Sequence, residues 1–371
     1  MQLAPPQLAA HLQKGLRSLY TLHGDEPLLI QEAADAIRAT ARAQGYTERT
    51  VFTVAGAHFD WSAVLASGSE MSLFGDRQIV ELRIPSGKPG KEGSTALQQL
   101  AEAAARNDSV LTLLLLPRLD AATQKTAWFM ALDNLGVSIR IDAVTRQSLP
   151  QWIAQRLALQ QQRVLPGDEG QRTLQFFADR VEGNLLAAHQ EVQKLALLHP
   201  AGELSLAQVE SAVLNVARYD AFKLAEAVLA GQTARVQRML DGLQAEGEAP
   251  VLVHWALSED IRTMNRVRTA LDAGHPMPKA LRDNRVWGAK EKLMERVLPR
   301  LPAAKLAQWL QDAHTVDGIV KGLKVPAWPA DPWDALHRLA TQVAAACANA
   351  ASGSVGSSSP HGGPAGSQRR G

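Results

Sequence analysis

Ser109-Val-Leu-Thr-Leu-Leu-Leu-Leu116 is the stretch on which the fold turns. From Val110 to Leu116 both alternating faces are apolar, interrupted only by Thr112. A strand with one wet face alternates apolar and polar residues, so this one must be covered on both sides, as the central strand of a parallel sheet is. It is also far too short to cross a bilayer. Working outward, Ser18–Leu22, Arg49–Val54, Arg77–Ile84 and Val137–Ile141 read as further strands. Helical stretches separate them. Leu28, Ile30, Ala33, Ile37 and Ala41 share one helical face after Pro27, which suits a first helical turn. Trp61–Met71, Thr95–Arg106 and Ala121–Leu135 supply the others. The alternation predicts an α/β domain with a mostly parallel sheet over residues 1–143.

The character changes after Asp142. From Leu149 onward no strand is expected, only amphipathic helices punctuated by Pro, Gly and polar turns. Leu149–Gln162, Gly170–Val181, Asn184–Leu198 and Ser205–Val216 form a short helical group, assigned to a domain of residues 144–217. A second helical group, residues 218–347, includes a long helix opening at Pro250. Residues 348–371 are rich in Ala, Gly, Ser and Pro, the composition of a disordered tail.

The 371 residues fit two or three domains, and 46% hydrophobic with 20% charged residues is a globular composition. A net charge of +2 excludes a polybasic or acidic solvating chain, although not a local patch. The single cysteine, Cys347, rules out an internal disulfide framework and a multi-cysteine zinc site. The opening MQLAPPQLAAHLQKGL lacks a basic region followed by a continuous apolar one, so the expectation is a soluble cytoplasmic protein without a membrane partner. Catalytic constellations are missing. There is no H-E-x-x-H, no His pair at metal-ligand spacing and no G-x-S-x-G, so neither a metal nor a cofactor is expected.

Ser86-Gly-Lys-Pro-Gly-Lys-Glu-Gly-Ser-Thr95, between a strand and a helix, comes nearest to a phosphate loop. A true one needs G-x-x-x-x-G-K-[ST], so that amides, a lysine and a metal-binding hydroxyl converge on the phosphates. Taking Gly90-Lys91 as its G-K places Pro85 at the first glycine and Glu92 at the hydroxyl; taking Gly87-Lys88 gives Leu82 and Pro89. Both readings fail twice, and a solvated loop is the ordinary alternative. At the first strand-to-helix junction stands His23-Gly24-Asp25-Glu26-Pro27, with no lysine or hydroxyl and two carboxylates that would repel phosphate. A divergent nucleotide-dependent enzyme using Ser86–Thr95 stays open as the alternative function.

These residues resemble a known family, the delta subunit of the bacterial DNA polymerase III clamp loader. The likeness runs to about Cys347. It is carried by LHGDEPLLIQEAADAIR, SEMSLFGDRQIVEL at Ser69–Leu82, TAWFMAL, LPQWI, EGNLLAAHQEVQKLALL, PVLVHWALSEDIR and RVWGAKEK at Arg285–Lys292. The resemblance implies an AAA+-like α/β domain without ATPase activity, a small helical lid and an all-α collar. It implies a subunit that binds and opens the sliding clamp (beta) during DNA replication, alongside gamma/tau and delta-prime subunits and primer–template DNA. The sensor arginine that follows the lid glycine motif in ATP-binding relatives is replaced by leucine in Gly183-Asn184-Leu185-Leu186.

On their own terms, Met71, Ser72, Leu73 and Phe74 end a helix, and packing into the domain's own core is the plainer reading. The resemblance makes them the clamp-binding element instead. Val251–Arg300 holds ten basic and six acidic residues, an excess of +4, and within it Arg282, Arg285, Lys290 and Lys292 are the candidate DNA contacts. A solvated face is the plainer reading there too. Trp287 is expected in the core, with base stacking the alternative, and Trp255 and Trp309 fall on apolar helical faces and are expected to be core.

Overall fold

A computed structural model of the chain describes residues 1–56, 58–69, 77–214 and 217–352. The first elements are β1 (Gln2–Leu3), α1 (Leu8–Lys14), β2 (Leu19–Gly24), α2 (Pro27–Ala43), β3 (Tyr46–Thr53), α3 (Trp61–Ser69), β4 (Arg77–Arg83), α4 (Gly90–Ala104), β5 (Val110–Pro117), α5 (Ala127–Leu135) and β6 (Val137–Ile141). The strands form a six-stranded sheet in the order β1-β6-β2-β5-β4-β3, and every pairing is parallel. The α/β expectation therefore holds, with a short strand, β1, added at one edge. Two residues are too few to show an alternating pattern, so β1 is invisible in sequence.

Strand β5 divides its side chains between two cores. Leu111 and Leu113 pack with Tyr20, Leu22, Ile79 and Ile139 beneath Leu8 and Leu12 of α1 and Ala34, Ile37 and Ala41 of α2. Leu114 and Leu116 pack with Leu82 and Ile84 against Trp61, Leu97, Leu100, Phe129 and Leu132 from α3, α4 and α5. The period of two in the sheet thus meets a helical layer on each face.

Within the first of these layers one carboxylate is fully buried. Glu81 accepts from Arg38 at 2.8 Å and Arg49 at 2.8 Å, and pairs with Arg83 at 2.6 Å. Arg38 is itself 3% exposed and also holds the surface Asp35 at 2.6 Å. Burial alone would raise the Glu81 carboxyl; the hydrogen bond from Arg83 and the charge of Arg38 outweigh it and hold the group below the usual range.

Beyond β6 come α6 (Leu149–Leu159), β7 (Gln162–Val164), α7 (Asp168–Val181), α8 (Leu185–Leu198), β8 (Gly202–Leu204) and α9 (Leu206–Ala212). Strands β7 and β8 form a separate parallel pair, which overturns the expectation of no strand after Leu149. Each is three residues long, again too short for a period. What fixes β7 is a side chain: the buried Gln162 amide donates to the carbonyls of Leu195 at 3.1 Å and His199 at 2.9 Å, satisfying the end of α8. Asn184 caps α8 through the Ala187 amide, and Ser205 with Gln208 forms a capping box on α9.

The remaining helices are α10 (Ala221–Leu229), α11 (Thr233–Ala245), α12 (Pro250–Asp272), α13 (Met277–Asp283), α14 (Ala289–Val297), α15 (Ala303–Val320) and α16 (Pro332–Ser352). They share one core that includes Leu224, Met239, Leu257, Met264, Trp309 and Leu336. Among the described residues the chain divides into two compact units, residues 1–180 with 184–214, and 181–183 with 217–352. No helix among the described residues is long and apolar enough to cross a membrane.

The Glu81 cluster generates a stability prediction. Replacing Glu81 with Gln leaves the buried Arg38 guanidinium with only the exposed Asp35 as a charge partner and costs about 3 kcal/mol in urea unfolding. Because the folded carboxyl lies below its unfolded value of about 4.3, its contribution is complete above that pH and is lost as pH falls through the folded value. The gap between native and variant stability therefore narrows on acidification, and a gap that stays constant down to the acid transition contradicts this account.

Candidate partner and nucleic-acid interface

Met71, Ser72, Leu73 and Phe74 lie outside the described residues, which end at Ser69 of α3 and resume at Arg77 of β4. The two flanks are tied together. Gln78 Nε2 donates to the Ser67 carbonyl at 2.8 Å, across eleven positions of chain. Arg77 donates to the Gln44 carbonyl at 3.2 Å and lies over the Tyr46 ring at 5.4 Å. Tyr46 in turn donates to the Asp108 carbonyl at 2.5 Å. Any segment carried between α3 and β4 therefore leaves and re-enters a braced scaffold, the usual setting of a recognition loop.

The β2–α2 junction is already filled by its own side chains. Asp25 accepts from Arg118 at 2.9 Å and from the Ala143 amide at 2.8 Å. Burial alone would raise the Asp25 carboxyl, and these two donors outweigh it and lower it. A Cβ on Gly24 would lie 1.7 Å from the Ile141 carbonyl oxygen, so the strand crossing admits only glycine. The Ser86–Thr95 segment makes the turn from β4 into α4, whose first residue is Gly90; Lys88 and Lys91 border an open cleft of about 750 Å³ there.

In the second unit the basic candidates part ways. Arg282, Arg285 and Lys292 are exposed. Lys290 is half-buried and committed to Asp260 at 2.7 Å. Burial raises the Asp260 carboxyl, and the Lys290 ammonium only partly offsets it. Between α13 and α14 the backbone turns through Arg285 at φ 57° and Gly288 at φ 68°. Val286 stays 5% exposed in the core, and Trp287 is 62% exposed. This corrects the expectation of a core tryptophan at 287. Trp255 is likewise 50% exposed and edge-on to Phe222, whereas Trp309 is fully buried as expected. Trp255 and Trp309 both lie on apolar helical faces in sequence, and only packing separates them.

With this geometry in place, comparison with known proteins decides the family. Residues 20–142 match the model for DNA polymerase III, delta subunit. The DNA polymerase III subunit delta of Escherichia coli (strain K12) is 34% identical, over 84% of this chain and 88% of its own. The chain belongs to the DNA polymerase III delta-subunit family. Its Haemophilus influenzae counterpart is 28% identical over 86% of this chain and 94% of its own. The fold is similar to that of the Bacillus subtilis DNA clamp loader delta protein, with a TM-score of 0.50 at 17% identity, over 92% of this chain and 99% of that one. A delta subunit with this sheet is a replication protein with a clamp-loader role, and a component of a DNA polymerase complex.

For this delta subunit the described residues sort one sequence candidate from the rest. Lys290→Met leaves the buried Asp260 without a partner and lowers the unfolding free energy by roughly 2 kcal/mol. Lys292→Met, on the exposed side of the same helix, shifts it by less than about 0.5 kcal/mol. Parallel urea titrations compare the two; equal losses contradict the separation.

Proposed function

We propose that this delta subunit binds the sliding clamp through Met71, Ser72, Leu73 and Phe74 and opens it for loading onto primed DNA, without ATPase activity of its own. Family membership along most of the chain supports the reading, and the observation that carries it is the β2–α2 junction. Where a nucleotide-binding α/β domain needs a lysine and free amides, Asp25 closes the corner with Arg118 and Ala143. In this reading residues 1–143 form the AAA+-like domain, 144–217 a lid and 218–347 a collar that joins the gamma/tau and delta-prime subunits in the cytoplasm. Leu73 and Phe74 are the anchors, since a few large apolar groups carry most of an interface's binding energy. Opening follows if the subunit favours the open ring over the closed one, because a ligand shifts an equilibrium only by its differential affinity.

Primer–template DNA is the second proposed partner. Arg282, Arg285 and Lys292 are free of the buried pairing that engages Lys290, and Trp287 offers an exposed ring beside them. Phosphate contact there gives affinity that falls with salt, and a stacked base adds about 1–3 kcal/mol. The rival reading, nucleotide-dependent catalysis at Ser86–Thr95, draws on the cleft beside Lys88 and Lys91.

Calorimetric titration with purified clamp tests the first reading. Leu73→Ala combined with Phe74→Ala weakens binding by about 3 kcal/mol or more while circular dichroism is unchanged; undiminished affinity would sink it. ATP binding lost on Lys91→Ala favours the rival. For DNA, Arg282→Ala, Arg285→Ala and Lys292→Ala each flatten the dependence of log affinity on log salt by roughly one unit, and slopes equal to the parent's remove those residues from the interface.

A further inference from the structure

The α5-facing side of the sheet is apolar under α3 and α4 and becomes polar at the β6–β2 edge. Thr21 and Ser138 are direct partners across β2 and β6, and His23 and Arg140 are the next such pair towards the strand ends. Thr21 and Ser138 are 0% and 3% exposed, and neither hydroxyl has a hydrogen-bond partner. Leaving a buried hydroxyl unpaired is costly, and native interiors rarely do so without reason. Helix α5 begins only at Ala127 and covers the row incompletely. An open cleft of about 620 Å³ remains there, lined among others by Ser138, His23, Arg140, Phe129 and Gln124.

The chemistry of this lining is donor-rich. Arg140 spends Nε on Asp142 at 2.9 Å, and its two terminal nitrogens have no protein acceptor among the described residues. His23 is 5% exposed, sets its ring edge-on to Phe129 at 5.3 Å, and makes no side-chain hydrogen bond to another described residue. Burial, reinforced by Arg140, lowers the imidazole pKa and favours its neutral form, which still offers one N–H. The one carboxylate on the lining, Asp142, is already turned to Arg140. A guanidinium fork, a hydroxyl and an imidazole N–H around one cleft match the oxygens of a compact oxyanion.

We propose that this cleft is a binding site for a phosphate-sized oxyanion, held by Arg140, Ser138 and His23. The source is either a free small phosphate or a phosphate of a nucleic-acid backbone. This site uses neither the Met71–Phe74 residues nor the basic residues near Trp287, so the proposal stands or falls independently of the clamp reading.

Equilibrium dialysis of the full chain against radiolabelled inorganic phosphate, with a short single-stranded oligodeoxynucleotide as competitor, tests the proposal. Saturable phosphate binding is expected, weakened roughly tenfold by Arg140→Gln and by Ser138→Ala, the cost of one charge-assisted or buried hydrogen bond. Competition by the oligonucleotide assigns the site to a nucleic-acid backbone, and its absence assigns it to a free phosphate. Thermal melts without phosphate supply the second readout. Ser138→Ala leaves the melting temperature unchanged or raises it, because the variant removes an unpaired buried hydroxyl. Binding that never saturates, or affinities equal to the parent's in both variants, overturns the proposal. A Ser138→Ala protein that melts lower and binds phosphate unchanged overturns it as well, since the hydroxyl is then structural.

Discussion

A parallel strand buried on both faces cannot stand without a helical layer on each side, and β5 imposes that condition on the first unit. Its leucines alternate between the α1–α2 core and the α3–α4–α5 core. Every neighbour must then return by a crossover, and these crossovers carry the features that bear on function. The α3-to-β4 crossover contains Met71–Phe74. The β2-to-α2 turn is closed by Asp25, and the β4-to-α4 turn holds Ser86–Thr95.

Polar groups inside this frame obey the same economy. Glu81 is tolerated because three guanidiniums surround it, and Gln162 because its amide finishes a helix. Asp260 is half-answered by Lys290, with its second oxygen unpaired. The Thr21 and Ser138 hydroxyls have no protein partner, and Ser138 lines the open cleft beside β6. Glu81 and Gln162 are thus answered within the chain, whereas Ser138 is placed beside a cleft.

Family membership and the geometry of the β2–α2 corner both support the proposed clamp-opening role. The convergence rests on different kinds of residue. Identity to the delta subunits extends over most of the chain, whereas the argument about nucleotide rests on a few side chains at one strand end.

The sequence by itself determined the parallel sheet, since the unbroken apolar run of β5 and the alternation around it have few other solutions. It also determined most helices, because their apolar spacing depends on neighbours within a turn. The tertiary structure alone decided three other matters. Trp309 is buried while Trp255 is exposed, although both sit on apolar helical faces, and Trp287 is exposed in the turn between α13 and α14. Lys290 is paired with an aspartate thirty positions away, which removes it from the free basic surface. Strands β1, β7 and β8 exist through partners distant in sequence, not through any pattern of their own. The physical reason is common to all three: periodicity and capping are local, whereas exposure, ion pairing and strand partnership belong to elements that meet only when the chain has folded.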